Sequence, residues 1–357
     1  MYLKQLTCNG FRCLRDIQFE PSPGINVIHG DNAQGKTSIL EALLFAATSK
    51  SHRTSTESEL VAYKAEGFQI AAEATRSDRN VLVEANWWKG AKRFKVNGVA
   101  QTRVSDILGK ITVTFFSPED ISLVKAGASV RRKFMDMELS QLSAGYLAAL
   151  QKHRQVLRQR NELLRAKHPD QDLLAAWDGQ LAQHGALLMA ERGDFIEELA
   201  ELAQIAYAQI AQNEGLQMTY KPDVEVDADY AAVLEKARPI DLQRKMTTRG
   251  PHRDDIQLSI DNHPARSTAS QGQQKSAALA IKLAELNLIH RRTREYPILM
   301  LDEVLAELDP HRAGHLFSAI EKGVQCLLTT ANSANNHPIT KQAVSTYLIK
   351  NGRLAKL

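Results

Sequence analysis

The chain has 357 residues, 43% of them hydrophobic and 24% charged, enough for a sizeable core and more than one domain. A formal net charge of +4 permits a polyanionic partner without demanding one. No apolar run approaches the ~18 residues of a membrane span, MYLKQLTCNG has no signal core, and Cys8, Cys13 and Cys326 lack metal-ligand spacing, so a cytoplasmic protein with reduced core thiols is expected.

Residues 1 to about 117 mix strands with short helices. Alternation and apolar runs predict strands at 2–7, 17–19, 25–29, 68–75, 81–87, 94–96 and 111–116, with a helix over 36–47. Between the third strand and that helix lies Gly30-Asp31-Asn32-Ala33-Gln34-Gly35-Lys36-Thr37, followed by Ser38, a full match to G-x-x-x-x-G-K-S/T. Its glycines let backbone N–H groups curl around phosphate oxygens, Lys36 supplies a point charge to the β- and γ-phosphates, and Thr37 offers a hydroxyl to Mg²⁺. Strand before and helix after meet the context this motif requires, so a nucleoside triphosphate site is expected.

From about 118 to 249 helix formers take over. Apolar steps of three and four run from Met135 to Leu163 and again from Leu174 to Leu188, with His168-Pro169-Asp170 as the break between them. Two such helices joined by a short turn predict an antiparallel hairpin arm, and ~35 residues per helix give about 50 Å at 1.5 Å per residue. His153 and Arg160 fall on the apolar stripe, which predicts a partly wet seam.

The last segment, about 250 to 357, returns to strands and helices. The run Ser267 to Lys275 is a polar helix start, a natural anion site. Ile298-Leu299-Met300-Leu301 reads as a buried parallel strand with Asp302 and Glu303 at its C-terminal end. Ligands bind beyond such ends in open α/β sheets. There Asp302 can hold Mg²⁺ through water and Glu303 can orient or deprotonate an attacking water, with Lys36 as the third catalytic candidate. No guanine-reading N-K-x-D is present, which favours ATP. The predicted fold is α/β: one P-loop ATPase head built from both chain ends (1–117 and 250–357), with a helical arm (118–249) inserted.

The polar helix start, the Asp-Glu strand end and the Leu308-Asp309 turn, in that order, resemble the ABC-type ATPases, and among them the SMC and Rad50 heads. The match is closest to the RecF family of bacterial recombination-repair ATPases. It is carried by Asn9-Gly10-Phe11-Arg12, the P-loop, Ser51-His52-Arg53-Thr54 and Phe116-Ser117-Pro118-Glu119-Asp120, and further on by Arg131 to Asp136, Thr248 to Asp255 and Ser270-Gln271-Gly272-Gln273-Gln274. This resemblance implies an ATP-dependent homodimer in which Ser270, Gln271, Gly272 and Gln273 of one copy close over the nucleotide of the other, with Asp309 at the interface. It implies that Arg12 approaches the nucleotide, that duplex or gapped DNA is bound in the ATP state, and that a RecR-like mediator is a partner. Transporter-type heads carry a glutamine where Ser117 stands and a histidine where Thr329 and Thr330 stand, so slow hydrolysis is expected. An SMC-like tether and an ABC subunit energising another partner are the competing functions; the short arm and the missing histidine count against them.

DNA contacts are harder to place. Residues 131–168 hold nine Lys/Arg against three Asp/Glu, while 172–214 hold eight Asp/Glu against Arg192 alone. Arg53, Lys152, Arg154 and Arg158 are candidates for phosphate contacts, with mutual neutralisation of the two helices as the competing reading. Trp87 to Gly98 reads as a hairpin with core tryptophans and solvated cations, and residues 252–255 as a salt-bridge cluster.

Overall fold

The computed structural model describes residues 1–77, 79–211, 214–306, 312–314, 316, 320, 323–331 and 343–357. The chain forms an α/β head together with a helical region, and divides into two compact units: Met1–Asp120 with Lys282–Leu357, and Ile121–Ile281. The second boundary differs from the expected 249/250.

The first unit holds two six-stranded sheets. One is antiparallel, in the order β2 (Ile17–Phe19), β1 (Tyr2–Asn9), β4 (Gly67–Arg76), β5 (Arg79–Trp88), β6 (Ala91–Val96), β7 (Val99–Gln101). Its strands bury alternate residues, Phe68, Ile70, Ala72 and Ala74 on β4 for example, as a sheet with one covered face requires. The other sheet runs β15 (Arg353–Lys356), β14 (Ser345–Lys350), β3 (Ile25–His29), β13 (Cys326–Thr330), β12 (Ile298–Asp302), β8 (Val113–Phe116). All its pairings are parallel except that of β15. All five residues of β12 are buried, the pattern of a strand covered on both faces. Helix α1 (Lys36–Thr48) buries apolar residues all round, including Ile39, Leu40, Leu43, Leu44 and Phe45, and its core continues into both sheets.

The second unit contains α2 (Ser122–Lys125), α3 (Ala128–Leu142), α4 (Ala144–Leu164), α5 (Gln171–Ile210), α6 (Tyr230–Arg244), α7 (Ala265–Thr268) and a sheet of β9 (Leu216–Lys221), β10 (Asp255–Ile260) and β11 (His263–Pro264). Pairing of β10 with β9 explains why residues after 250 cluster here, since a six-residue ladder ties them to the chain before α6. The break at 168–170 falls where expected: Asp170 caps α5, accepting from the N–H groups of Asp172 and Leu173. At 1.5 Å per residue, the 40-residue α5 is about 60 Å long and the 21-residue α4 about 32 Å. The seam is not wet at Arg160, which is fully buried and donates to Asp178 (2.6 Å), Asp241 (2.7 Å) and Thr247 Oγ1 (2.8 Å); His153 is 2% exposed. The chain re-enters the first unit inside α8 (Gln271–Thr293).

Candidate nucleotide site

Parallel pairing aligns Ile28, Thr329 and Asp302 across β3, β13 and β12, so the three C-terminal ends share one edge. The phosphate loop leaves β3 at that edge. Gly35 sits at φ +112°, a conformation that favours glycine, and starts α1. A Cβ on Gly30 would meet the Ile349 carbonyl oxygen at 2.4 Å, so the loop presses directly on β14. The turn after β14 clamps it further: Asn351 N–H donates to Gln34 Oε1 (2.6 Å) and Gly352 N–H to the Gln34 carbonyl (3.2 Å).

Lys36, 4% exposed, donates to the carbonyls of Gly30 (2.8 Å) and Asp31 (3.0 Å) and pairs with Glu303 at 3.0 Å. Thr37 Oγ1 donates to Asp302 Oδ1 at 3.0 Å. Thr329 then binds the acidic pair together. Its hydroxyl donates to Asp302 Oδ1 (2.6 Å) and accepts from the Glu303 N–H (3.0 Å). Glu303 itself stands at φ +54°, a strained conformation for a non-glycine that turns it out of the strand. Burial pushes the Asp302 carboxyl above its ordinary range, against the pull of the Thr329 and Thr37 hydroxyls.

A cleft of about 940 Å³ opens beside the loop, lined by Lys36, Thr37, Glu303, Arg12, Arg53 and Tyr63 among others. Arg12 grips Glu41 with two hydrogen bonds (3.0 and 2.7 Å) and donates a third to the Glu59 carbonyl (2.9 Å). Glu41, on α1 and fully buried, also accepts from Ser51 Oγ at 2.5 Å, and Arg53 lies 3.6 Å away. Burial alone would raise the Glu41 pKa; the Arg12 and Ser51 hydrogen bonds outweigh it and hold the carboxyl below its ordinary range. His52 is kept neutral, its pKa pushed down to about 4 by burial, with its ring 4.3 Å from that of Phe115.

The expected cleft residues Gly30 to Ser38, Arg12, Asp302 and Glu303 therefore gather at one edge, with Arg53 among them. Ser270 to Gln273 form a capping box in the second unit: Ser270 N–H donates to Gln273 Oε1 (2.8 Å) and Gln273 N–H to Ser270 Oγ (3.2 Å). Gln273 also donates to Glu214 at 3.0 Å, while Ser270 and Gln271 are exposed. The expected interface residue Asp309 lies outside the described residues. Lys152, Arg154 and Arg158 are exposed on α4, with Arg154 paired to Asp136 at 2.6 Å.

In the cluster at 252–255 the acids pair with helix arginines, Asp254 with Arg192 and Asp255 with Arg131. Among the described residues no group of three His, Cys, Asp or Glu side chains gathers as a metal cage, and no helix is long and apolar enough to cross a membrane. Two expectations need correction. Cys13 is exposed rather than a core thiol, and Trp88 is 56% exposed while Trp87 stacks on Phe68.

The family described as RecF/RecN/SMC N terminal domain matches residues 2–353. Two proteins called DNA replication and repair protein RecF cover nearly the whole chain: one from Pediococcus pentosaceus, 38% identical over 93% of this chain and 92% of its own, and one from Listeria welshimeri, 37% identical over 98% of each. The chain belongs to the RecF family. A solved RecF described as the recombination mediator protein RecF-ATP in the RecFOR pathway superposes with a TM-score of 0.93 at 32% identity, covering 100% of this chain and 97% of that one. An SMC head bound to the C-winged helix domain of ScpA shares the fold alone, at 16% identity, 100% and 98% coverage and a TM-score of 0.59.

Three residues at or beside the cleft escaped the sequence reading. Thr329 was noticed only as the place of a missing histidine, yet a hydroxyl one strand over from Asp302 is a partner that parallel order predicts. Glu41 looks like any helix glutamate; its burial at the convergence of Arg12, Ser51 and Arg53 is a tertiary fact. Tyr63, 90% exposed at the cleft, carries no motif.

Proposed function

We propose that this chain is an ATP-dependent DNA-binding protein of DNA replication and recombinational repair, in which nucleotide binding closes a homodimer on DNA and slow hydrolysis opens it. The reading rests on one observation above all: Lys36, Thr37, Asp302 and Glu303 meet through contacts of 3.0 Å in a RecF-family chain. The first unit acts as the nucleotide head. In it the loop amides and Lys36 bind the phosphates, and the incoming γ-phosphate replaces Glu303 as the partner of Lys36. Freed from that ion pair, Glu303 becomes a base for the attacking water.

The paired oxygens of Thr37 and Asp302 suit a hard cation, and Mg²⁺ held there would neutralise phosphate charge. Thr329 keeps Asp302 aimed at that place, a task left open here because Ser117 and Thr329 stand where transporter-type heads carry a glutamine and a histidine. Arg12, oriented by Glu41, borders the nucleotide. The exposed Ser270 and Gln271, with the half-buried Gly272 and Gln273, form a polar helix start suited to a γ-phosphate held by a second copy, with Asp309 at the same interface. The solved relative described as part of the RecFOR pathway supports a recombination-mediator partner of the RecR kind.

The test is DNA affinity with and without ATP and Mg²⁺, over a salt series, for gapped, duplex and single-stranded substrates. Binding to gapped or duplex DNA should require ATP and weaken steeply with salt. Equal affinity with and without ATP would remove the switch.

A further inference from the structure

Within the second unit, the polar start of α8 is held from outside the helix as well as by its own capping box. The side-chain amide of Gln273 has two opposite ends, an acceptor Oε1 and a donor Nε2. Its Oε1 accepts from the Ser270 N–H (2.8 Å), and its Nε2 donates to Glu214 Oε1 (3.0 Å), 59 residues earlier in the chain. A carboxylate accepts only and a backbone N–H donates only, so these two partners together fix which way the amide faces. A flipped amide would set donor against donor at Ser270 and acceptor against acceptor at Glu214.

Glu214 is itself anchored. Its Oε2 accepts from the hydroxyl of Tyr207 (2.7 Å), a fully buried residue near the C-terminal end of α5. The next residue, Gly215, is pinned to the turn after β10: its N–H donates to Asp261 Oδ1 (2.8 Å) and its carbonyl accepts from the Asp261 N–H (3.0 Å). A core tyrosine and a backbone clamp therefore place this carboxylate from two sides. At the other end of the relay, Ser270 Oγ accepts from the Gln273 N–H (3.2 Å). That contact uses an acceptor position and leaves the hydroxyl hydrogen to donate away from the helix. Ser270 is exposed, so the donor faces a partner rather than the core.

We propose that Glu214 is a positioning residue for the ATP-driven dimer: through Gln273 it sets the Ser270 hydroxyl in the orientation that meets the γ-phosphate of the other copy. This rests on the reading of Ser270 to Gln273 as a site that acts in trans. Glu214 touches no nucleotide in this role. It contributes order before the partner arrives, because side chains already fixed lose less freedom on association. Two effects of Glu214 oppose each other. The fixed amide favours the dimer, while the carboxylate charge repels an incoming phosphate. The relay outweighs the repulsion because the charge stands behind the Gln273 amide and is already shared between two donors.

The experiment uses the full chain carrying Glu303→Gln as parent, adds Glu214→Ala, Glu214→Gln or Ser270→Arg singly, and takes two readouts. Hydrogen exchange over residues 267–275 in the nucleotide-free chain reports the positioning alone. It should quicken about tenfold in Glu214→Ala and little in Glu214→Gln, whose amide oxygen still accepts from Gln273. The concentration midpoint of the ATP-driven dimer, by light scattering, reports the use made of that order. Glu214→Ala should raise the midpoint about tenfold, roughly threefold at each of two equivalent sites, with ATP affinity unchanged. Glu214→Gln should restore the parent midpoint or lower it, since the repelling charge is gone. Unchanged exchange in Glu214→Ala overturns the proposal. So does a Glu214→Ala dimer as tight as the parent's when Ser270→Arg abolishes dimers. A dimer indifferent to Ser270→Arg removes the trans site itself and the role of Glu214 with it, so that arm tells the two failures apart.

Discussion

At the residue scale Asp302 is held at a cost. A carboxyl whose pKa is higher in the folded chain than in the unfolded one binds protons more readily when folded, so stability falls as pH rises between the two values. Asp302 is such a group, and its penalty is complete once the pH stands above the folded value. Asp302→Asn should therefore raise the Tm of the nucleotide-free protein by about 2 °C at pH 7 while weakening Mg-ATP binding. A lower Tm would mean that the Thr37 and Thr329 hydrogen bonds outweigh the burial. Glu41 has the opposite sign: its depressed pKa contributes stability above the ordinary carboxylate range, lost as pH falls through the folded value. Glu41→Gln should flatten the acid side of the stability–pH profile, read by thermal melts between pH 3 and 7. Thr329→Val leaves Asp302 with one hydroxyl fewer and the Glu303 N–H without its acceptor. A loss of about 1–3 kcal/mol is expected for that orphaned pair, together with slower ATP turnover; unchanged turnover would remove Thr329 from the site.

At the scale of elements, the helical region shows what a sequence discloses and what it hides. The break at His168-Pro169-Asp170 was legible because proline and an N-cap acid act locally, on the residues beside them. The phosphate loop and the Asp302-Glu303 strand end were legible for the same reason, as contiguous motifs between apolar strands. Arg160 was misread as a wet position, because its partners Asp178 and Asp241 stand 18 and 81 residues away. Nothing in its neighbours along the chain reports a buried ion pair. The β9–β10 pairing, which moves residues 250–281 into the second unit, is likewise a long-range ladder between strands that each read as ordinary. Arg160→Leu leaves Asp241 buried without its cation and Asp178 with Arg238 alone. A destabilisation of roughly 3–5 kcal/mol is expected, measured by urea unfolding; a loss below 1 kcal/mol would mean the acids protonate or rehydrate cheaply.

At the scale of the whole molecule, the cleft in the first unit supplies phosphate loop, acidic pair and Arg12, while the polar start of α8 is exposed and already self-capped by Ser270 and Gln273. In the proposed dimer a second copy gives those groups a phosphate to bind. On that proposal Ser270→Arg should leave ATP affinity intact, since the residue would serve the other copy's site, yet abolish association. The central claim is that ATP joins two copies through this helix start, and the most direct measurement is solution mass by light scattering. With Glu303→Gln to slow hydrolysis, ATP and Mg²⁺ should shift the 39.7 kDa chain to twice that mass, and adding Ser270→Arg should return it to the monomer. A Glu303→Gln chain that saturates with ATP and stays monomeric, or a dimer indifferent to Ser270→Arg, would contradict the account.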